Sequence, residues 1–269
     1  MTLFARLGRR TALAVAAVAF AQAAAAQCGN TASGFESWKA SFATEAKRAG
    51  VKGAGLQALA NAQYATRTIA ADRNQKSFRY SLEKFMQVRG ADTIVAQGRK
   101  RKARSPEIYA ALERQYGVPA GVLIAIHGME TAFGGFMGDS SVVSAIVTLT
   151  YDCRRSDFFQ PHAIGALKLV DQGSITGNTK GAKHGELGHT QFLPGNALTY
   201  GVDANGDGRV DLYNQTDALA STANFLRQKG WKPGRGYQQG QPNFEVIKQW
   251  NAATVYQQAI ALMGARIDS

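Results

Sequence analysis

Cysteine is scarce in this chain. Cys28 and Cys153 are the only two among 269 residues, so no more than one internal disulfide can form. Acidic residues are also short: 19 Asp and Glu stand against 31 Lys and Arg, giving a formal net charge of +12 and a pI near 9.9. Such an imbalance points to an anionic partner through long-range attraction and says nothing of fold. Nucleic acid, anionic lipid and anionic polysaccharide all qualify on charge alone. Strand signals are few, and no repeat or low-complexity tract follows the first 26 residues. Nor does any later run of apolar residues reach the length needed to span a bilayer. What is present is ordinary for a globular protein: 45% hydrophobic and 19% charged residues, enough for a real core.

The first residues bear on compartment. Arg6, Arg9 and Arg10 form a basic start, an alanine-rich apolar stretch follows, and Ala24-Ala25-Ala26 offers a small-residue cleavage site. Residues 1–26 therefore read as a cleaved export signal; a retained membrane anchor is the alternative. Arg9-Arg10 is a weak twin-arginine feature. Gln27 stands where a lipid-anchor signal before Cys28 would place a small residue, which argues against lipidation. The expected protein is periplasmic or secreted, without a membrane span after cleavage, and monomeric. That setting sets nucleic acid aside. In an oxidising compartment Cys28 and Cys153 read as one disulfide, with two free buried thiols as the alternative.

The rest of the chain reads as helices. Phe35, Trp38, Phe42 and Ala46 share one face of a helix ended by Gly50, and a second helix covers 54–62. Phe78, Leu82 and Phe85 line another, and the basic run GRKRKAR reads as a solvated helix end or loop. Ser105-Pro106 starts a helix whose apolar stripe is Ile108, Leu112 and Tyr116. Pro119 opens the next, LIAIHGMET, and Asp139 or Ser140 caps SVVSAIVTL. Residues 175–188 read as a loop; helices follow over TDALASTANFLRQ and after Asn251. The expectation is a mainly α domain over 27–269, with an N-terminal helical segment at 27–105 and a catalytic region at 106–269.

Three stretches carry chemistry. Val122, Ile126 and Glu130 fall four apart, so the carboxyl group leans to the apolar side of its helix. Apolar surroundings penalise the charged form, and an acid still protonated near neutral pH can give its proton to a leaving group. An ordinary solvated glutamate, or one paired with an arginine, is the plain alternative. DANGDGRVD matches a calcium loop at Asp203, Asn205, Asp207 and Gly208, with the Arg209 carbonyl at the next ligand position. Position 12 holds Asn214 instead of Glu, leaving Asp217 or Asp211 to supply the missing carboxylate. An Asx-rich turn without metal is the alternative. In GELGHTQFLPGN, Gln191 suits hydrogen bonding to sugar hydroxyl or acetamido groups. Arg154 and Arg155 suit carboxylates, while Tyr151, Phe158 and Phe159 are platforms or core.

Taken in order, YGVP, METAFGGFMG, YDCRRSDFF, GELGHTQFLP, DANGDGRVDL and DALASTANFLRQKGW resemble lytic murein transglycosylases of the membrane-bound lytic transglycosylase B type. The resemblance covers nearly all of the chain after the signal. It implies a lysozyme-like, mostly helical fold and cleavage of the β-1,4 bond between N-acetylmuramic acid and N-acetylglucosamine in peptidoglycan, leaving a 1,6-anhydromuramoyl end. It places the catalytic acid on Glu130 and sugar contacts on Gln191, Arg154, Arg155, Phe158, Phe225, Trp250 and Asn251. It favours Asp217 over Asp211 in the cation loop, for a structural calcium or sodium ion. No cofactor for chemistry is implied; glycan strands, and other cell-wall enzymes, are the implied partners. The chain departs from the pattern at Ala132-Phe133, Phe158, Phe225, Ala182, Glu186 and His189. A hydrolytic muramidase, using Asp139, Asp152, Asp157 or Glu186 as second carboxylate, is the near alternative. A non-catalytic calcium- and cell-wall-binding protein is the other.

Overall fold

The computed structural model describes residues 27–74 and 80–269. The export signal at 1–26 and Phe78 lie outside the described residues. Among those described, thirteen α-helices account for nearly all regular structure, and β1 (Ser140–Ser141) with β2 (Lys180–Gly181) forms the one small antiparallel pair.

Two apolar clusters hold the helices together, each drawing on residues from both sides of position 105. The first joins α1 (Phe35–Arg48) and α2 (Gly53–Asn61) to α8 (Val142–Tyr151) and α9 (Ser156–Asp171). As the spacing predicts, Phe35, Trp38, Phe42 and Ala46 are the buried face of α1, with stacked rings of Trp38 and Phe42 at 4.7 Å. The Cys28–Cys153 disulfide ties the chain before α1 to the end of α8, and Gly29 N–H donates to the Tyr151 carbonyl at 2.9 Å. It closes a loop with a sequence separation of 125, which restricts the unfolded chain strongly.

The second cluster surrounds α7 (Ala120–Thr131), a helix apolar on every side and therefore enclosed. Residues Val122–His127 are fully buried. α4 (Leu82–Arg89), α5 (Ala91–Arg104), α6 (Pro106–Tyr116), α11 (Gln215–Gln228), α12 (Phe244–Trp250) and α13 (Thr254–Asp268) contribute to this cluster. α13 comes close enough that a methyl group at Gly121 would strike the Gly264 carbonyl.

Several local expectations need correction. A helix not foreseen, α3 (Thr66–Arg73), ends with the acid Asp72 buried. The stripe of α6 uses Tyr109, Leu112 and Tyr116 and leaves Ile108 exposed: Tyr109 and Leu112, three apart, and Tyr116, four further on, share one helical face. Ser141, not Asp139 or Ser140, caps α8: its hydroxyl accepts the Ser144 N–H at 3.3 Å. The basic run, by contrast, is the helix end it was read as: it forms the last turns of α5, where cations oppose the negative helix end.

Candidate active site

Glu130 occupies the last turn of α7, held there by the enclosed turns that precede it. The chain then takes three consecutive left-handed residues: Ala132 (φ 50°), Phe133 (φ 64°) and Gly134 (φ 85°). The first two store backbone strain, which a structure retains only where its surroundings over-determine it. Those surroundings are visible. Thr131 Oγ1 donates to the His189 carbonyl at 2.6 Å and accepts the Gly134 N–H at 2.9 Å. Beneath the turn, His127 Nε2 and His189 Nδ1 share a hydrogen bond of 2.9 Å. Burial first, then the neighbouring ring and Arg101, push His127 down to about 3, so it stays neutral. A Cβ at Gly134 would collide with the His189 ring, which accounts for glycine there.

Tyr256 Oη donates to Glu130 Oε1 at 2.6 Å, and Trp250 Nε1–H donates to the same oxygen at 3.2 Å. No hydrogen bond among the described residues reaches Oε2. An oxygen that accepts twice is the carbonyl-like one, so the proton of the neutral acid sits on Oε2, free to leave. Burial pushes Glu130 up to about 7. The two donors pull it down, the charge of Glu186 pushes it up and Arg89 pulls it down. The C-terminal end of α7 disfavours a carboxylate further. Tyr256 is raised well above the ordinary phenol range, by burial and by Glu130, and remains a donor.

Glu130 opens on a groove of about 660 Å3. One wall is aromatic: Trp250 packs edge-on against Phe192 and Phe225 at 4.9 and 5.2 Å. Gln191 lies beside it in a tight hairpin, where Leu187 and Phe192 exchange backbone hydrogen bonds at 2.9 and 3.0 Å. Its own φ is +57°, the third strained non-glycine residue among those described, and all three lie at this site. Its amide nitrogen donates to the Gly188 and Met137 carbonyls at 2.8 and 3.4 Å.

Of the residues singled out by sequence, Glu130, Gln191, Phe225, Trp250 and Asn251 line the groove. Arg154, Arg155 and Phe158 do not. The nearly inaccessible carboxylate of Asp72 takes the first two as its ion-pair partners, and Arg154 also donates to the Asp72 carbonyl at 2.9 Å. Burial alone would raise Asp72, but hydrogen bonds and charge from the two guanidinium groups outweigh it and hold it below the usual range. Phe158 is half exposed, with Arg155 over its ring at 5.8 Å. The sequence carried no sign that α3 would bring an acid to these arginines.

The reading also missed Tyr256. It belongs to the buried stripe of α13, and an enclosed tyrosine requires a partner for its hydroxyl, which is the signal that was available. Of the candidate second carboxylates, Asp139 and Glu186 line the groove, but both are engaged. Asp139 pairs with Arg67 at 3.0 Å. Glu186 accepts the His184 N–H at 3.2 Å, with the His184 ring at 3.6 Å. Asp152 is buried against Arg73 at 2.6 Å, and Asp157 borders a different depression.

The loop at 203–211 is closed by its own acids. Asp203 accepts N–H groups of Gly206, Asp207 and Gly208 at 2.7–3.2 Å, and Asp207 accepts that of Arg209 at 3.0 Å. Asp217, fully buried, accepts those of Ala204, Asn205 and Asp211 at 2.9–3.2 Å. The donor set is all oxygen and rich in carboxylate, which suits a hard cation. Among the described residues, however, no three acidic, histidine or cysteine side chains converge as a metal would hold them. Asp217, expected to close the ligand shell, also anchors three backbone amides of the loop.

The chain matches the model of the Transglycosylase SLT domain over residues 34–241. It belongs to the SLT transglycosylase family. It is 35% identical over 121 residues to membrane-bound lytic murein transglycosylase B of Escherichia coli K12, covering 44% of this chain and 34% of that protein. The chain thus spans about a third of that relative's length. Its fold is similar to SltB3 of Pseudomonas aeruginosa, solved in complex with NAG-NAM-pentapeptide: TM-score 0.80, 26% identity, 87% of this chain and 80% of the other. It is also similar to Escherichia coli Slt35 in complex with calcium: TM-score 0.72, 20% identity, 90% and 96% covered. The mostly helical, lysozyme-like architecture expected from the sequence is therefore the one found. The SLT match takes in Glu130, Gln191 and the loop at 203–211, but not Trp250, Asn251 or Tyr256.

Proposed function

We propose that the chain is a lytic transglycosylase that cleaves the β-1,4 bond between N-acetylmuramic acid and N-acetylglucosamine in peptidoglycan. The observation that supports it is Glu130: a carboxyl group poised near neutrality, with one oxygen held by two donors and the other open to a groove. Protonated Glu130 gives its proton to the glycosidic oxygen as the bond to the muramic anomeric carbon breaks. Positive charge builds on that ring, as in other glycosidic cleavages. Ionised Glu130 then removes the C6 hydroxyl proton, and that oxygen closes on the anomeric carbon as a 1,6-anhydro bond. Tyr256 and Trp250 stabilise the intermediate carboxylate, which makes one group serve as acid and then base.

Gln191, Phe225, Trp250 and Asn251 line the path of the glycan. A structural cation, calcium or sodium, fits the chemistry of Asp203, Asn205, Asp207 and the Arg209 carbonyl, with Asp217 bracing the loop. Export through the signal at 1–26 would bring the enzyme to its polymer; no described helix is long and apolar enough to cross a membrane. The deciding experiment is chromatography of the products from purified peptidoglycan. Anhydromuramoyl ends that disappear in Glu130→Gln support the reading. Reducing ends would make the protein a muramidase with Glu186 or Asp139 as second carboxylate, and undiminished activity of Glu130→Gln would leave it without its acid.

A further inference from the structure

We propose that Phe136 is an aromatic platform on which a sugar ring of the substrate rests at the mouth of the Glu130 groove. This rests on the reading of the protein as a glycan-cleaving enzyme and names a contact that reading lacks. Phe136 is 68% exposed, the highest value among the large apolar residues that are exposed in the described chain, and it lines the same groove as Glu130. Single exposed apolar side chains are common on protein surfaces; this one is set apart by lining the groove that holds the candidate acid. Among the described residues no other ring or cation lies against it.

The backbone beneath it is fixed, so the ring is presented and not merely stray. Phe136 N–H donates to the Thr131 carbonyl at 3.1 Å, and Gly135 N–H to the Ala132 carbonyl at 3.3 Å. Gln191 holds the adjacent Met137 carbonyl at 3.4 Å. Gly138 takes φ +102° and lies directly on the Gly181 backbone, where any Cβ would collide. The segment that starts at the strained turn after Glu130 thus ends anchored to β2, with Phe136 at its crest. A pyranose presents one face of C–H bonds that packs on an aromatic face, while its hydroxyl and acetamido edges remain for amides such as Gln191 and Asn251.

The test measures binding by calorimetry in a Glu130→Gln background, with a tetrasaccharide of alternating N-acetylglucosamine and N-acetylmuramic acid. Adding Phe136→Ala should weaken binding about five- to tenfold, the scale of one aromatic contact. Phe136→Trp should restore it, while Phe136→Leu should stay near the alanine variant, since a flat face is required and not apolar area alone. In the active enzyme Phe136→Ala should raise KM while kcat stays within about twofold and the pH profile is unmoved. Equal affinity of the alanine or leucine variant overturns the platform and leaves the assignment of Glu130 untouched. If Glu130→Gln still cleaves peptidoglycan, or binds no saccharide at all, the functional reading falls and the platform with it.

Discussion

Glu130 and Asp72 are two desolvated carboxyl groups that the fold treats in opposite ways. Both suffer the desolvation that disfavours charge. Asp72 is answered by two guanidinium groups and stays ionised below the usual range. Glu130 receives only neutral donors, from a phenol and an indole, and is left near 7. Charge partners turn a carboxyl into a fastener, whereas neutral partners turn it into an acid that can exchange its proton. Asp217 shows a third solution, in which backbone amides alone hold a fully buried carboxylate.

The contrast breaks most sharply under exchange of each acid for its amide. Glu130→Gln should lower turnover by about 10³-fold or more, the scale of a lost general acid, while Asp72→Asn should leave folded protein active within a few-fold. Product release from peptidoglycan checks both. Next in size is a dependence of stability on pH. The folded pKa of Glu130 lies above the ordinary carboxyl value of 4.5, at about 7, so the native state binds the proton more tightly than the unfolded one. Stability from this group is full below 4.5 and is lost as pH rises toward 7. Urea titrations should therefore show wild type falling relative to Glu130→Gln across that window, by about 3 kcal/mol at most. Asp72 runs the other way: its contribution is present above the unfolded pKa and lost as pH falls through the lowered folded one.

Asp72→Asn should cost about 2 kcal/mol at neutral pH, read from the same titrations. This is less than a fully enclosed pair would lose, because both arginines reach solvent. Tyr256→Phe should slow turnover about tenfold and move the alkaline limb of the rate profile upward, since the lost hydrogen bond favours the charged acid. The smallest effect concerns the 203–211 loop. Calcium should raise the Tm by a few degrees and a chelator should reverse it, with turnover of folded protein little changed. Equal melting with and without calcium would leave Asp217 and the backbone amides as the loop's sole support.

Much of this site was legible in the sequence because its signals are local. The four-residue spacing of Val122, Ile126 and Glu130 fixes the face of α7 on which the acid lies, and YGVP with the glycines after Thr131 marks both helix ends. The helices with strong apolar stripes were found within a few residues, α1 above all. What stayed hidden depends on distant parts of the chain. Arg154 and Arg155 look ready for a ligand until α3, a weakly patterned helix some eighty residues earlier in the chain, supplies Asp72. Tyr256 stands 126 residues from Glu130, and no spacing rule joins them. The strained turn at Ala132-Phe133 was equally invisible, since neither residue favours positive φ on its own.

Three tryptophans occur in the chain, and Trp38 and Trp231 sit in apolar packing away from the groove. The third, Trp250, has its indole N–H on the carboxyl group of Glu130. Each ionisation of that acid places a full negative charge beside one chromophore, so ultraviolet emission becomes an optical titration of the working proton, readable in the resting protein without substrate or label.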